Sequence, residues 1–282
     1  MNGALLVDKP AGMTSHDVVA IVRRVLGTKS VGHTGTLDPF ATGLLVVLVG
    51  KATRLARFLD GFEKEYEATV RLGQGSDTDD STGTLTAPSA IGHQPSEEEV
   101  RKAILSFVGT SEQMPPAFSA KKVDGQRAYA RARKGEEVVL KAATVTIHRI
   151  DLLAYEWSDV RIRAVVSTGT YLRSLARDLG TKLGTAAHCA ELRRTGIGRF
   201  RVEEAQALEA LESGPQLIPM AEVVSHLPRQ ELDEGEVAFI RNGRRVATEQ
   251  TAGPIALVHG GELLAIADVV EGMAQPTVVL AE

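Results

Sequence analysis

Cysteine is almost missing: Cys189 is the single one in 282 residues. That excludes an internal disulfide and any zinc or redox site built on a CxxC pair. A reducing, cytoplasmic setting is the expectation. Aromatic residues are scarce, at 4%. No apolar run reaches the roughly 18 residues that cross a bilayer, so no membrane partner is expected. The opening "MNGALLVDKPAGMTS" lacks a basic stretch and carries Asp8 early, unlike a signal peptide. HExxH, a Walker loop and a nucleophile elbow are all missing. "DTDDSTG" is close to a calcium loop, but Thr82 stands at the glycine position and Pro88 where the bidentate glutamate belongs. The seven histidines are dispersed, and only His188 and Cys189 are adjacent. The reading is no metal and no cofactor.

Charge is modest, with a net of −4, but it is unevenly spread. From Glu222 to Glu282 there are four basic and ten acidic residues. Between Lys121 and Arg149 there are eight basic and three acidic ones, a local patch able to meet phosphates on an otherwise acidic chain.

Hydrophobic content of 43% supports a sizeable core. "GALLV" (3–7) reads as a buried strand, and Ser15 as the cap of a helix ending at Gly27. "GLLVVLVG" (43–50) is a continuous apolar strand followed by a short helix. "EYEATVRLG" (65–73) alternates like a half-buried strand. Ser96 and Glu99 form a capping box. "MPPAFSAKKVDGQRAYARARKG" (114–135) begins irregular and then reads as helical. Two strands meet near Ser158, and Thr170 is placed as the cap of a helix running to Leu179. "ELRRTGIGRF" (191–200) reads as strand or loop. "SGPQLIP" (213–219) breaks the pattern. After it come a short acidic helix (233–242) and a hairpin around Gly260-Gly261. The expected division is 1–217, α+β with a mixed sheet, and 218–282, a small β-barrel.

"GHTGTLDPFATGLL" (32–45) frames a single aspartate. Asp38 precedes proline, which keeps it out of the helical region and on an extended turn. Glycines at 32, 35 and 43 permit close approach of a backbone or ligand. The residues alone leave two readings open: a self-bonded turn carboxylate, or a reactive group in a cleft.

Six blocks then bear on that choice: "VDKPAGMTSHDVV", "GHTGTLDPFATGLLVV", "YEATVRLG", "PPAFSAKKVDGQRAYARARKG", "STGTYLRSLARDLG" and "ELRRTGIGRF". Together, in order across about residues 4–220, they resemble the bacterial tRNA pseudouridine synthase B family. The resemblance implies a pseudouridine synthase fold with a PUA-like C-terminal domain. It implies isomerisation of uridine 55 in the tRNA T-loop, with no cofactor. Asp38 would be the nucleophile, Arg173 the cation that keeps it ionised, and Tyr66 an aromatic against the base that helps move a proton. Tyr171 and Leu192 would line the pocket, and His33 would stack on displaced nucleotides. Lys9 and Asp80, grouped with the substrate-binding residues, also match family positions: Lys9-Pro10 as support beside the active-site loop, and Asp80 as an acid in the loop after "RLGQ". Lys121, Lys122, Arg131 and Arg133 fall in an RNA-gripping insertion at about 113–149. The T-stem-loop of tRNA is the expected partner, with a monomer and no obligatory protein partner. Two alternatives are a guide-RNA-dependent synthase subunit and a non-catalytic tRNA-binding or folding protein.

Overall fold

The computed structural model describes residues 1–88, 94–118, 122–123, 126–127 and 141–281. Strand β1 (Gly3–Lys9) leads into helix α1 (Ser15–Leu26). Thr14, rather than Ser15, caps this helix. Thr14 Oγ1 accepts from the Asp17 backbone N–H, and the Asp17 carboxylate accepts from that of Thr14. Ser15 lies one residue inside and is buried for another purpose. Gly27 ends the helix at φ 61°, a left-handed turn that suits glycine.

After β2 (Val31–His33) and the Asp38 loop comes β3 (Thr42–Val49). Its even and odd side chains enter different clusters. Leu44, Val46 and Leu48 pack toward the C-terminal region, while Leu45, Val47 and Val49 pack under α1. A strand covered on both faces needs no polar alternation, which explains the unbroken apolar run. Then follow β4 (Lys64–Leu72), α2 (Glu97–Leu105, with the expected Ser96–Glu99 box) and β5 (Gly109–Gln113). Lys122–Val123 (β6) pairs antiparallel with Gln126–Arg127 (β7), so these four residues are strand and not the expected helix, while the remainder of that reading, to residue 135, lies outside the described residues. The Asp124-Gly125 step is the two-residue hairpin signal that a helical reading passes over.

Strands β8 (Ala143–Glu156) and β9 (Asp159–Val166) meet at Ser158 as expected. Helix α3 spans Leu172–Lys182, and its cap is Tyr171, with no side-chain cap bond, rather than Thr170. The Thr170 hydroxyl instead faces Ser167 Oγ at 3.2 Å. Strand β10 (Ala187–Ile197) precedes the short β11 (Phe200–Arg201) and β12 (Gln206–Ala207). The main sheet runs β12-β1-β3-β10-β4-β9-β8-β5. It is mixed: β3 meets β10 in parallel through only Arg193↔Thr42 and Arg194↔Gly43, whereas β10 and β4 are antiparallel. That short parallel seam is where the Asp38 loop sits.

Past the turn α4 (Met220–Val223), a second sheet combines β13 (Arg229–Glu231), β14 (Val246–Ala247), β15 (Ile255–His259), β16 (Glu262–Val270) and β17 (Met273–Val279). Helix α5 (Glu234–Arg241), capped by Asp233, covers it. This half-barrel has the form expected of a PUA-like domain, and its β15–β16 hairpin turns at Gly260-Gly261. One apolar cluster joins Ala4, Leu6 and Val46 to Val258, Ile266 and Val278. Basic side chains of the 3-10 helix Gly50–Phe58 clasp its last strand: Lys51 donates to the Leu280 carbonyl at 2.8 Å, and Arg54 to that of Val279.

Gly43 packs directly on the Arg194 backbone at φ 101°, and a Cβ there would collide with the Arg194 carbonyl oxygen. Strain and collision together should cost about 2 kcal/mol or more. Gly43→Ala is therefore expected to lower the urea midpoint clearly, whereas Gly61→Ala, which meets nothing within 4 Å, leaves it nearly unchanged. Equal midpoints for the two variants would show that the seam tolerates a side chain.

Candidate active site

Asp38 lies on a loop whose carbonyls are all held. Arg194 donates from Nη2 to Gly35 O (3.0 Å) and from Nη1 to Thr36 O (3.4 Å). Ser15 Oγ donates to Leu37 O (3.3 Å) and accepts from the Leu37 N–H (2.9 Å). The Ala41 N–H donates to Asp38 O, and Gly12 N–H and Lys9 Nζ both donate to Pro39 O. Fixing five successive carbonyls leaves the loop little freedom to turn the Asp38 side chain elsewhere. The self-bonded turn carboxylate is not what forms: the carboxylate reaches across to α3.

Its partner is Arg173, on the first turn of α3 and only 4% exposed. Nε lies 2.9 Å from Asp38 Oδ2, an ionic contact outside hydrogen-bond geometry, and Nη2 donates to Oδ1 at 3.3 Å. Nη2 also donates to Phe118 O (3.0 Å), and Nη1 to Thr78 O (3.0 Å) and Asp80 Oδ2 (3.3 Å). The guanidinium fork is thus locked from behind while one edge faces the reactive carboxylate. Asp80 is itself fixed: its Oδ1 accepts from Thr78 Oγ1, Thr82 N–H and Thr82 Oγ1 at 2.6–2.9 Å. A second pair, Arg177–Asp79 at 2.8 Å, flanks the first.

Burial pushes the Asp38 pKa above an ordinary aspartate's. Arg173 opposes that rise, Asp80 adds to it, and Lys9 opposes it. A raised folded-state pKa means that the stability tied to this group is full below the ordinary aspartate value. It is lost as pH rises through the raised one, so ionising this carboxylate is a cost to the fold.

The carboxylate opens into a cleft of about 470 Å³ lined by His33, Asp38, Tyr66, Tyr171, Arg173 and Leu192, among others. Tyr66 and Leu192 are 8% exposed, on the neighbouring strands β4 and β10, where Tyr66 stands opposite Arg194 and Leu192 opposite Ala68. His33 closes one side; its Nδ1 accepts from the Gly35 N–H, its ring meets His16 edge-on at 5.7 Å, and burial lowers its pKa. Tyr171 is pinned by Gln113, which both donates to its carbonyl and accepts from its N–H. The site offers a flat apolar slot, one held carboxylate and one held cation. Among the described residues no cluster of three metal-ligating side chains occurs.

With that geometry established, the comparisons are decisive. The TruB family pseudouridylate synthase (N terminal domain) model matches residues 23–172, and the tRNA pseudouridylate synthase B C-terminal domain model matches residues 173–218. The chain belongs to the TruB pseudouridylate synthase family. It is similar to the tRNA pseudouridine synthase B of Thermobifida fusca (strain YX), with 47% identity covering 99% of both chains. The Leifsonia xyli protein of the same name is also 47% identical, over 90% of this chain and 86% of that one. Among solved structures, an H/ACA RNP bound to a substrate RNA containing 2′-deoxyuridine is similar, with a TM-score of 0.73 and 27% identity. The match covers 99% of this chain and 84% of that one.

Within this TruB family chain, the fold gathers His33, Asp38, Tyr66, Tyr171, Arg173 and Leu192 in one cleft. Lys9 and Asp80, expected near substrate, do not reach it. Lys9 is fully buried and donates to Pro10 O, Met13 O and Pro39 O, and Asp80 stands behind Arg173. Both position the loop and the cation instead. Lys121, Arg131, Arg133 and the side chain of Lys122 lie outside the described residues. Arg194 and Lys64 were not singled out from the sequence, and Ser15 only as a helix cap. Arg194 and Lys64 carried a usable signal: each sits two residues from a recognised cleft residue on a strand, hence on the same face.

The raised Asp38 pKa is open to direct measurement. A ¹³C carboxyl titration, assigned against Asp38→Asn, is expected to show a midpoint above the ordinary aspartate value. Arg173→Met should move it further up, because the cation that stabilises the charged form is gone. A midpoint at or below the ordinary value, or a downward shift in Arg173→Met, would contradict this electrostatic account.

Proposed function

We propose that this chain isomerises a uridine of the tRNA T-loop, uridine 55, to pseudouridine, with Asp38 as the nucleophile. The observation that carries this reading is the Asp38–Arg173 pair in a slot walled by Tyr66 and Leu192. A base inside a duplex is out of reach, so the nucleotide must be flipped into such a slot, where an apolar wall and aromatic rings replace its stacking. The carboxylate then attacks; carbon 6 of the base and carbon 1′ of the ribose both remain open as the target. Either route needs the ionised form, which Arg173 favours against burial. The glycosidic bond to N1 breaks, uracil rotates, and carbon 5 bonds to carbon 1′. The carbon 5 proton is lost, with Tyr66 assisting, and N1 gains one. No electrons are exchanged with a cofactor.

The similarity to known proteins supports tRNA over the guide-RNA alternative. The relatives named tRNA pseudouridine synthase B are 47% identical over most of the chain, against 27% for the H/ACA structure. The PUA-like half-barrel, with its excess of acidic residues, contributes mainly as a cap on the catalytic sheet.

Asp38→Asn keeps the shape of the Asp-Pro turn but removes the nucleophile. Tritium release from uracil carbon 5 under single-turnover conditions should disappear, while filter-binding affinity for tRNA changes little. Measurable release, once deamidation back to aspartate is excluded by mass spectrometry, would sink the mechanism. The basic block is tested by neutralising Lys121, Lys122, Arg131 and Arg133 together. Each lost phosphate contact should flatten the log–log salt slope of binding by about 0.7 to 0.9. An unchanged slope would mean that the block is a solvated face.

A further inference from the structure

Lys64 starts β4, two residues before Tyr66 and on the same face of the strand, and it lines the same cleft. It is only 8% exposed. Its Nζ donates to Thr168 Oγ1 at 2.8 Å, and its Cε lies against Gly35 of the Asp38 loop, 3.5 Å from where a Cβ of that glycine would sit. The side chain therefore spans the cleft from the 168–170 turn to the reactive loop. No carboxylate of the described residues comes within 4 Å of Nζ; the acid that acts on it, Asp60, stands on the exposed rim. A second cation, the fully buried Arg194, lines the same cleft. Arg194 spends its donors on the carbonyls of Leu44, Thr36 and Gly35 and forms no ion pair among the described residues. Arg173 is different, being matched by Asp38 and Asp80.

The cleft thus holds two buried positive charges that no carboxylate of the described residues contacts, beside a slot for an uncharged base. Buried charges are normally paired, so an unpaired one in a binding cleft implies an anionic partner from outside. Uracil and ribose supply none; the sugar-phosphate backbone does. Both cations keep donors to spare, but Arg194 is fully buried with its fork fastened to three loop carbonyls, whereas Lys64 is 8% exposed and Thr168 takes one of its three donors.

We propose that Lys64, steadied by Thr168, grips a backbone phosphate flanking the flipped uridine and so sets how deeply the nucleotide enters the slot. This rests on the tRNA reading above. It makes Lys64 a substrate-binding residue whose contact is with the RNA backbone and not with the reacting atoms.

The test is a double-mutant cycle on a T-arm hairpin. One partner is Lys64→Met. The other is a methylphosphonate, uncharged but of nearly the same shape, placed in turn at the linkage 5′ and 3′ of the target uridine. Dissociation constants come from filter binding, and rates from saturating single turnover. Wild type should lose roughly tenfold or more in affinity with the methylphosphonate at one of these linkages, as expected for a charge-assisted bond. Lys64→Met should lose a similar factor on the all-phosphate hairpin and be indifferent to methylphosphonate at that same linkage. Lys64→Arg, which keeps the charge, should retain most of the affinity and the sensitivity. Losses that multiply independently at both linkages would overturn the proposal, as would wild-type indifference to both methylphosphonates. Lys64→Gln is the second neutral variant should methionine unfold the protein. Binding without pseudouridine formation by wild type would defeat the proposed function while leaving the phosphate contact legible in the cycle. No binding to the hairpin at all would defeat both.

Discussion

Arg173 is a cation almost wholly withdrawn from water, and the site exists because five oxygen partners surround it. Two are backbone carbonyls, of Thr78 and Phe118, and three are carboxylate oxygens, two of Asp38 and one of Asp80. Taking a guanidinium out of water is costly unless its partners are in place before it arrives. The partners come from three separate stretches, the loop before β3, the loop after β4 and the chain after β5, and they meet Arg173 on α3. The Asp38–Arg173 pair therefore forms only when the whole sheet has closed. Removing one partner strands a buried charge, which explains why Asp80 is anchored by three donors of its own.

The same economy governs the loop that carries Asp38. Lys9, Arg194 and Ser15 are buried polar residues that use their hydrogen bonds on carbonyls of residues 35–39. Burial lowers the pKa of Lys9 to about 8, with Asp38 acting to raise it and Arg194 to lower it. Positive groups thus surround a carboxylate that burial would otherwise neutralise. Ionising Asp38 costs the fold stability, and rigid strands such as β3, apolar on both faces, supply the stability that offsets it.

Placement of the cleft follows from sheet topology. β3 and β10 run parallel and pair over just two residues, so beyond that seam the strands part and the loop before β3 fills the gap. Gly43 lets the two backbones touch there, at a φ that other residues rarely adopt. β10 then contributes Leu192 and Arg194, β4 contributes Lys64 and Tyr66, and the start of α3 contributes Arg173. The C-terminal half-barrel takes no part in lining this cleft; its shared apolar cluster with β1 and β3 stiffens the sheet from the far side.

The chain's own order of residues was enough for much of this. The apolar run of β3, the alternation of β4, the Ser96–Glu99 box and the Gly260-Gly261 hairpin are local signals, and local signals survive folding. The six cleft residues were legible because they lie in short distinctive blocks. What the sequence misplaced was decided by competition between neighbours. Thr14 took the cap that Ser15 also fits, because Ser15 was needed by Leu37, 22 residues away. Lys9 and Asp80 looked like substrate contacts, since position along the chain says nothing about which side of a loop a side chain occupies. Only the closed sheet showed them turned inward, and only it set the buried cations Arg194 and Lys64 beside Asp38. Charge balance inside a cleft is a sum over distant segments, so no single stretch of sequence contains it.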